Sequence, residues 1–221
     1  MADYLMNCPE MTEATVVIVD DERGVRDSLE SLISTADYRC VSFASGEMFL
    51  AEPLPHAPCC LLLDLQLGGQ SGLAVQSELN ARRALLPVLF LSGDASVSCA
   101  VSAMKAGAMD FLQKPFDPEC LLSAVERALQ VSAEGYHRRT SAEHDALLLA
   151  GLTRREYQIL ALLVDGNTNK TIARMVDISV RTVETHRKHI MDKLNARTLA
   201  DVVRVWLDSG RATLPPGDPL R

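Results

Sequence analysis

Residues 59–64 read Cys-Cys-Leu-Leu-Leu-Asp, a short apolar run that ends in a carboxylate. Residues 16–20 read Val-Val-Ile-Val-Asp and repeat the pattern near the start of the chain. An apolar run without alternation is typical of a central strand that is covered on both faces, as in a parallel sheet. We therefore predict two central parallel strands, each ending in an acid.

Three further strand candidates lie outside this pair, at residues 39–43, 88–91 and 110–112. All five alternate with helix-like segments between Thr15 and Leu129. Five such units predict an α/β domain built on a five-stranded, doubly wound parallel sheet of the flavodoxin-like type. We place this domain at residues 14–130.

Acidic side chains follow the two central strands. Asp20, Asp21 and Asp64 should meet at the carboxyl ends of neighbouring strands and repel one another, a conflict that Mg2+ resolves with oxygen ligands. The fourth and fifth strands end near Ser92 and Lys114, which adds a hydroxyl and an ammonium to the same crevice. This set suits phosphoryl transfer with Asp64 as the nucleophile.

Each of these residues also has a purely structural interpretation. Asp21 could cap the following helix, Asp64 could cap a loop, and Lys114 could be a solvated charge. All of these residues fall at strand ends, in the order along the chain that a phosphoryl-transfer site requires. This joint placement favours such a site.

Four segments resemble the receiver domain of two-component response regulators over about residues 14–130. They are Val-Asp20-Asp21-Glu, Leu-Leu-Asp64-Leu, Leu-Ser92-Gly and Phe111-Leu-Gln-Lys114-Pro115-Phe. The resemblance implies that Asp64 accepts a phosphoryl group from a sensor histidine kinase and that Ser92 and Lys114 contact its oxygens. Phe111 would be the aromatic switch residue.

The same resemblance implies a magnesium shell. Its ligands would be Asp20, Asp21, Asp64 and the backbone carbonyl of Gln66. This chain departs from many receivers in having Gly68-Gly69 where a proline often stands four residues after the phosphoacceptor, and Ser92 where threonine is commoner. We expect the glycines to loosen the loop after the third strand.

The C-terminal part has no strand pattern and four helical segments, at about 153–164, 168–175, 179–194 and 198–208. Thr153 and Glu156 predict a capping box. The short turn Asp177-Ile178 between the second and third segments predicts a helix-turn-helix that lacks the frequent turn glycine.

The third helix carries an apolar stripe that includes Val183 and Ile190, with His186 in a structural position. The opposite face suits base reading in the major groove by Glu184, Thr185 and Lys188, while Lys170, Arg181 and Arg187 suit phosphate contacts. A solvated helix of mixed charge is the alternative. The motif Ser179-Val-Arg-Thr-Val183-Glu184-Thr-His186-Arg187 resembles the LuxR-type output domain of the NarL/FixJ family, and the resemblance implies the same base readers.

Charge and composition separate the two halves. Counting Lys and Arg against Asp and Glu gives −7 for residues 14–130 and +3 for 151–209. We predict a partly helical linker at 131–150, a DNA-binding domain at 151–209 and a flexible tail at 210–221. The absence of a long apolar run predicts a cytoplasmic protein without membrane contact.

Together these observations predict a transcription regulator rather than an enzyme: a response regulator that phosphorylation switches to dimerisation and DNA binding. The expected partners are a sensor histidine kinase, double-stranded promoter DNA and a second copy of the chain, with RNA polymerase as a further candidate. Two alternatives remain open: a phosphorylation-independent or ligand-sensing LuxR-type regulator, and an aspartyl-phosphate phosphohydrolase.

Overall fold

The computed structural model describes residues 14–56, 58–93 and 97–209. The tail predicted at 210–221 lies outside these residues. The chain divides into two compact units between Tyr136 and His137. Within the described residues, no helix is long and apolar enough to cross a membrane.

The N-terminal unit is a five-stranded sheet flanked by helices. Its elements are β1 (Thr15–Val19), α1 (Arg23–Ser34), β2 (Arg39–Phe43), α2 (Gly46–Ala51), β3 (Cys59–Asp64), α3 (Gly72–Ala81), β4 (Val88–Ser92), α4 (Val97–Lys105), β5 (Asp110–Gln113) and the first part of α5 (Pro118–Ala150), a helix that continues into the C-terminal unit. All strand pairs are parallel, in the order β2-β1-β3-β4-β5. The predicted doubly wound fold is confirmed, with β1 and β3 adjacent.

The sheet is buried on both faces because helices pack on each side of it, and successive side chains of a strand point alternately into the two cores. In β3, Leu62 joins a core with α1 and α5, whereas Leu61 and Leu63 join a second core with α2 and α3. Every residue of β1, β3 and β4 is buried. This two-sided burial explains the unbroken apolar runs of the sequence.

Helix α5 is longer than the sequence pattern predicts. It runs without a break from Pro118 to Ala150, so residues 131–150 are helical throughout rather than in part. Residues of high helix propensity dominate this segment, and Arg139 pairs with Glu143 one turn later at 3.0 Å. These local preferences outweigh the cost of Gly135.

The C-terminal unit is helical. After the end of α5 it contains α6 (Arg154–Val164), α7 (Asn169–Met175), α8 (Val180–Lys193) and α9 (Leu199–Asp208). Each of these four helices starts at a hydroxyl N-cap: Thr153, Thr168, Ser179 and Thr198. The capping box of Thr153 and Glu156 is present as predicted.

The turn between α7 and α8 is short and tight. Asp177 adopts a φ of 51° there, a left-handed conformation that short polar side chains tolerate better than most. The turn therefore needs no glycine. Val183 and Ile190 of α8 are buried against the other helices, which leaves the opposite side of α8 open.

Candidate functional site

Three carboxylates converge at the carboxyl end of the sheet. Asp20 directly follows β1, Asp21 comes next, and Asp64 is the last residue of β3. One oxygen from each lies within 4.8 Å of the others. Asp20 and Asp64 are buried, with 0% and 6% of their surface exposed, whereas Asp21 is exposed.

Lys114 holds the two buried acids together. Its Nζ donates to Asp20 Oδ2 at 2.7 Å and to Asp64 Oδ2 at 2.6 Å. Lys114 directly follows β5, which brings it to the same end of the sheet as the two acids. Its backbone N–H donates to the Ser92 carbonyl at the end of β4 at 2.7 Å. The peptide bond between Lys114 and Pro115 is cis.

Burial and pairing act in opposite directions on these charges. Burial raises the pKa of Asp20, and the bonds from Lys114 and the Glu22 N–H only partly offset that effect. Burial alone would lower the pKa of Lys114, but its hydrogen bonds to Asp20 and Asp64 raise the pKa overall. The lysine is therefore charged when it faces the carboxylates.

Backbone groups fix the two acids of the β1 end. The Glu22 N–H donates to Asp20 Oδ1 at 2.9 Å, and the Gly68 N–H donates to Asp21 Oδ2 at 3.1 Å. Arg26 of α1 donates through Nη1 to the carbonyls of Asp20 and Asp21 at 2.8 and 3.1 Å. The loop that presents the acids is thus tied to both α1 and the segment after β3.

The loop after β3 orients Asp64. The Gln66 N–H donates to Asp64 Oδ1 at 2.9 Å, and Gln66 forms an isolated antiparallel bridge with Ser71. Gly72 begins α3 against this loop, where an added Cβ would lie 2.3 Å from the Asp64 carbonyl oxygen. The loop is closed by these contacts around the carboxylate.

Ser92 and Phe111 lie on the neighbouring strands. Ser92 is the last residue of β4 and is 1% exposed. Phe111 lies in β5 beside Phe90 of β4 and is only half-buried. It lines an open groove with Val101 and Met104 of α4, so its ring sits at the edge of the core.

The predicted DNA-contacting residues lie on and beside α8. Arg181, Glu184, Thr185 and Lys188 are all exposed, and the Thr185 hydroxyl donates to the Arg181 carbonyl at 3.0 Å. These four side chains share the side of α8 opposite to Val183.

The flanking cations Lys170 and Arg187 differ in exposure and in hydrogen bonding. Lys170 is exposed in the first turn of α7. Arg187 is half-buried, and its Nη1 donates to Asn169 Oδ1 at 2.6 Å. Glu184, Arg187 and Lys188 line one open groove together with Asn169, whereas Lys170, Arg181 and Thr185 do not line it.

Two family models match the chain. Residues 16–126 match the response regulator receiver domain, and residues 150–206 match the bacterial regulatory proteins of the luxR family. FixJ of Azorhizobium caulinodans is 39% identical over 92% of this chain and 97% of its own. TdiR of Thauera aromatica is 36% identical over 94% of this chain and 95% of its own.

The chain belongs to the NarL/FixJ family of response regulators. The solved response regulator StyR is similar in structure, with a TM-score of 0.79 and 38% identity over 87% of this chain and 98% of StyR. Full-length FixJ from B. japonicum gives a TM-score of 0.53 and 32% identity over 89% and 97% of the two chains. The chain is thus a two-component response regulator that controls transcription.

Three residues contact the acidic loops in ways that the sequence pattern does not predict. Arg26, Gly68 and Gly72 all contact the acidic loops. Only Gly72 carries a local signal, because it follows the helix cap Ser71. The contacts of Arg26 and Gly68 depend on how two loops meet in space, which spacing along the chain does not encode.

Proposed function

We propose that Asp64 of this response regulator is the phosphoacceptor. The observation that carries the proposal is the position of Lys114, whose ammonium contacts Asp64 and Asp20 together. A cation at this point can neutralise charge that develops on a phosphoryl group attached to Asp64. Asp64 lies at a strand end and keeps 6% of its surface exposed.

In the proposed reaction, a carboxylate oxygen of Asp64 attacks phosphorus and an acyl phosphate forms. The bond from phosphorus to the donor breaks, and the donor leaves with its electron pair. The donor is a kinase phosphohistidine, or acetyl phosphate in vitro. Lys114 and the Ser92 hydroxyl would then contact the phosphoryl oxygens.

The acidic cluster fits Mg2+, because three carboxylate oxygens within 4.8 Å form a hard donor set. We propose Asp20, Asp21, Asp64 and the Gln66 carbonyl as ligands. When bound, the ion supplies positive charge that offsets the carboxylates and the phosphoryl oxygens. The N–H groups of Glu22 and Gly68 hold Asp20 and Asp21 in place for that role.

The edge position of Phe111 supports a proposal for the output step. We propose that Ser92 moves toward the phosphoryl group and that Phe111 moves inward. The surface of α4, β5 and α5 then repacks and dimerises, and residues 151–209 bind promoter DNA as a pair. Glu184, Thr185 and Lys188 would read bases, with Lys170, Arg181 and Arg187 on the backbone.

The test is phosphorylation of the full chain by acetyl phosphate, followed by intact mass. We expect one phosphoryl group per chain with Mg2+, none with excess EDTA, and none in Asp64→Asn. Asp37→Asn alters an exposed acid outside the cluster and should label like the wild type. Labelling that survives in Asp64→Asn would reject the assignment and favour a phosphorylation-independent regulator.

A further inference from the structure

A second cluster of metal-ligating side chains lies in the C-terminal unit, away from the acidic pocket. It consists of Glu156 on α6 and of His186 and His189 on α8. The two histidines are three residues apart and therefore lie on the same side of the helix. One ligand atom from each of the three residues lies within 4.8 Å of the others.

Glu156 is held as a buried carboxylate beside these histidines. It is 4% exposed, and its Oε2 accepts from the Thr153 N–H and hydroxyl at 2.8 Å each and from Lys193 Nζ at 2.7 Å. Burial would raise the pKa of Glu156, but these donors lower it to about 2. One carboxylate oxygen of Glu156 lies within 4.8 Å of a ring nitrogen of each histidine.

His186 provides an independent observation. Its Nδ1 is buried and has no hydrogen-bond partner within the part of the chain that the structure describes. Buried polar atoms are normally satisfied, and an unsatisfied one calls for an explanation such as a missing ion. His189 is exposed, so its ring is free to turn toward the cluster.

We propose that Glu156, His186 and His189 bind a divalent transition-metal ion, with Zn2+ as the best match. Two imidazoles and one carboxylate form the donor set that zinc accepts in three-ligand sites, with a fourth position open to water. Mg2+ prefers oxygen ligands, so the two clusters of this protein differ in metal preference.

Two adjustments accompany binding. The ligand atoms must approach the ion to about 2.0–2.2 Å, which requires rotation of the exposed His189 ring. The Lys193 ammonium must also move away from the positively charged ion. The Lys193 side chain is 39% exposed and can turn to solvent. The bound ion would join α6 to α8 at the edge of the helix that faces DNA.

The test uses Co2+ as a visible probe of the full-length protein, with Mg2+ in excess to fill the acidic pocket. We expect the strong visible absorption of four-coordinate Co2+, lost on addition of Zn2+. In His189→Ala the apparent dissociation constant should rise at least about tenfold, since loss of even an outer-sphere partner costs 10–100-fold. His189 is exposed, so the variant should fold.

His144→Ala removes an exposed histidine of α5 outside the cluster and should bind Co2+ like the wild type. Asp64→Asn should also leave the spectrum unchanged. Equal affinity in His189→Ala and wild type would overturn the proposal, as would the absence of four-coordinate absorption in the wild type. Cobalt bound at a cysteine would show a separate near-ultraviolet thiolate band and would also count against it.

Discussion

Lys114 is the residue on which the acidic pocket depends in the absence of a metal ion. Its ammonium contacts both Asp20 and Asp64, and each of these two carboxylate side chains is less than a tenth exposed. Two buried carboxylates at contact distance repel unless a positive charge lies between them. The lysine therefore stabilises the fold as well as the proposed reaction.

Replacing Lys114 by methionine should expose this dependence. We expect Lys114→Met to lower the free energy of unfolding in EDTA by about 3 kcal/mol, the scale for removing one partner of a buried ion pair. Added Mg2+ should restore part of the loss, because the ion supplies the missing charge. Urea unfolding followed by circular dichroism measures both effects.

The control for that experiment is Lys105→Met, which removes an exposed lysine at the end of α4. It should change stability by less than about 0.5 kcal/mol. If Lys114→Met were equally stable with EDTA and with Mg2+, the ion would not share a site with the lysine.

Gly72 and Gly69 lie in and after the loop that follows β3, and they differ in the space around them. A Cβ at Gly72 would lie 2.3 Å from the Asp64 carbonyl oxygen and 3.0 Å from the Phe90 ring, whereas a Cβ at Gly69 meets nothing within 4 Å. We expect Gly72→Ala to cost about 1–3 kcal/mol through overpacking and to slow labelling by acetyl phosphate. Gly69→Ala should be close to neutral in both, and equal effects of the two changes would contradict this packing.

At the scale of single elements, Glu156 links the start of α6 to the end of α8. It closes the capping box with Thr153 and accepts from Lys193, whose Nζ also donates to the Gly151 carbonyl at 3.3 Å. One carboxylate thereby fixes the cap of α6 and the position of α8.

The C-terminal unit should therefore lose stability in acid over a defined range. The pKa of Glu156 is about 2 in the folded unit against 4.5 ordinarily, so the unfolded chain binds more protons between these values. Its contribution is complete above about pH 4.5 and is lost as the pH falls toward 2. Glu156→Gln should lower stability at pH 7 by about 1–3 kcal/mol and flatten that acid dependence.

Trp206 offers a specific signal for this measurement. It is the single tryptophan of the chain, and its ring packs on Tyr157 with centroids 5.2 Å apart. Fluorescence thus reports on the C-terminal unit alone. An acid transition with the same slope in Glu156→Gln and wild type would show that other groups control it.

Much of each element is predictable from the sequence. The apolar runs of β1 and β3 identify the central strands because both faces of the sheet are buried, and Thr153 and Ser179 mark helix starts through their capping oxygens. The full length of α5 is not predictable from apolar periodicity, since its middle is polar and continues through local helix propensity. The same limit applies to Arg26 and Gly68, whose contacts are tertiary.

The whole molecule consists of an acidic half and a basic half. Residues 14–130 carry a net charge of −7 and residues 151–209 a net charge of +3. The positive half suits phosphate contacts, and the negative half disfavours non-specific binding of DNA to the receiver. Each half matches its own family model, the receiver domain for the acidic half and the luxR family for the basic half.

Substitution of two lysines in the full chain should distinguish a residue that reads bases from one that contacts phosphates. We expect Lys188→Ala to weaken binding to a target promoter by about 1–3 kcal/mol while leaving random DNA nearly unaffected. Lys170→Ala should weaken both and reduce the salt dependence by about one phosphate contact. Fluorescence anisotropy across a salt series tests this, and equal losses on both DNAs for Lys188→Ala would reject its role as a base reader.

Asp64 is the residue that we propose to carry the phosphoryl group. Borohydride reduces an aspartyl phosphate to homoserine, and peptide mass mapping then locates the modified position. After phosphorylation by acetyl phosphate with Mg2+, we predict homoserine at position 64 alone. Homoserine at position 20 or 21, or a phosphoryl group retained on Ser92, would contradict the assignment of Asp64.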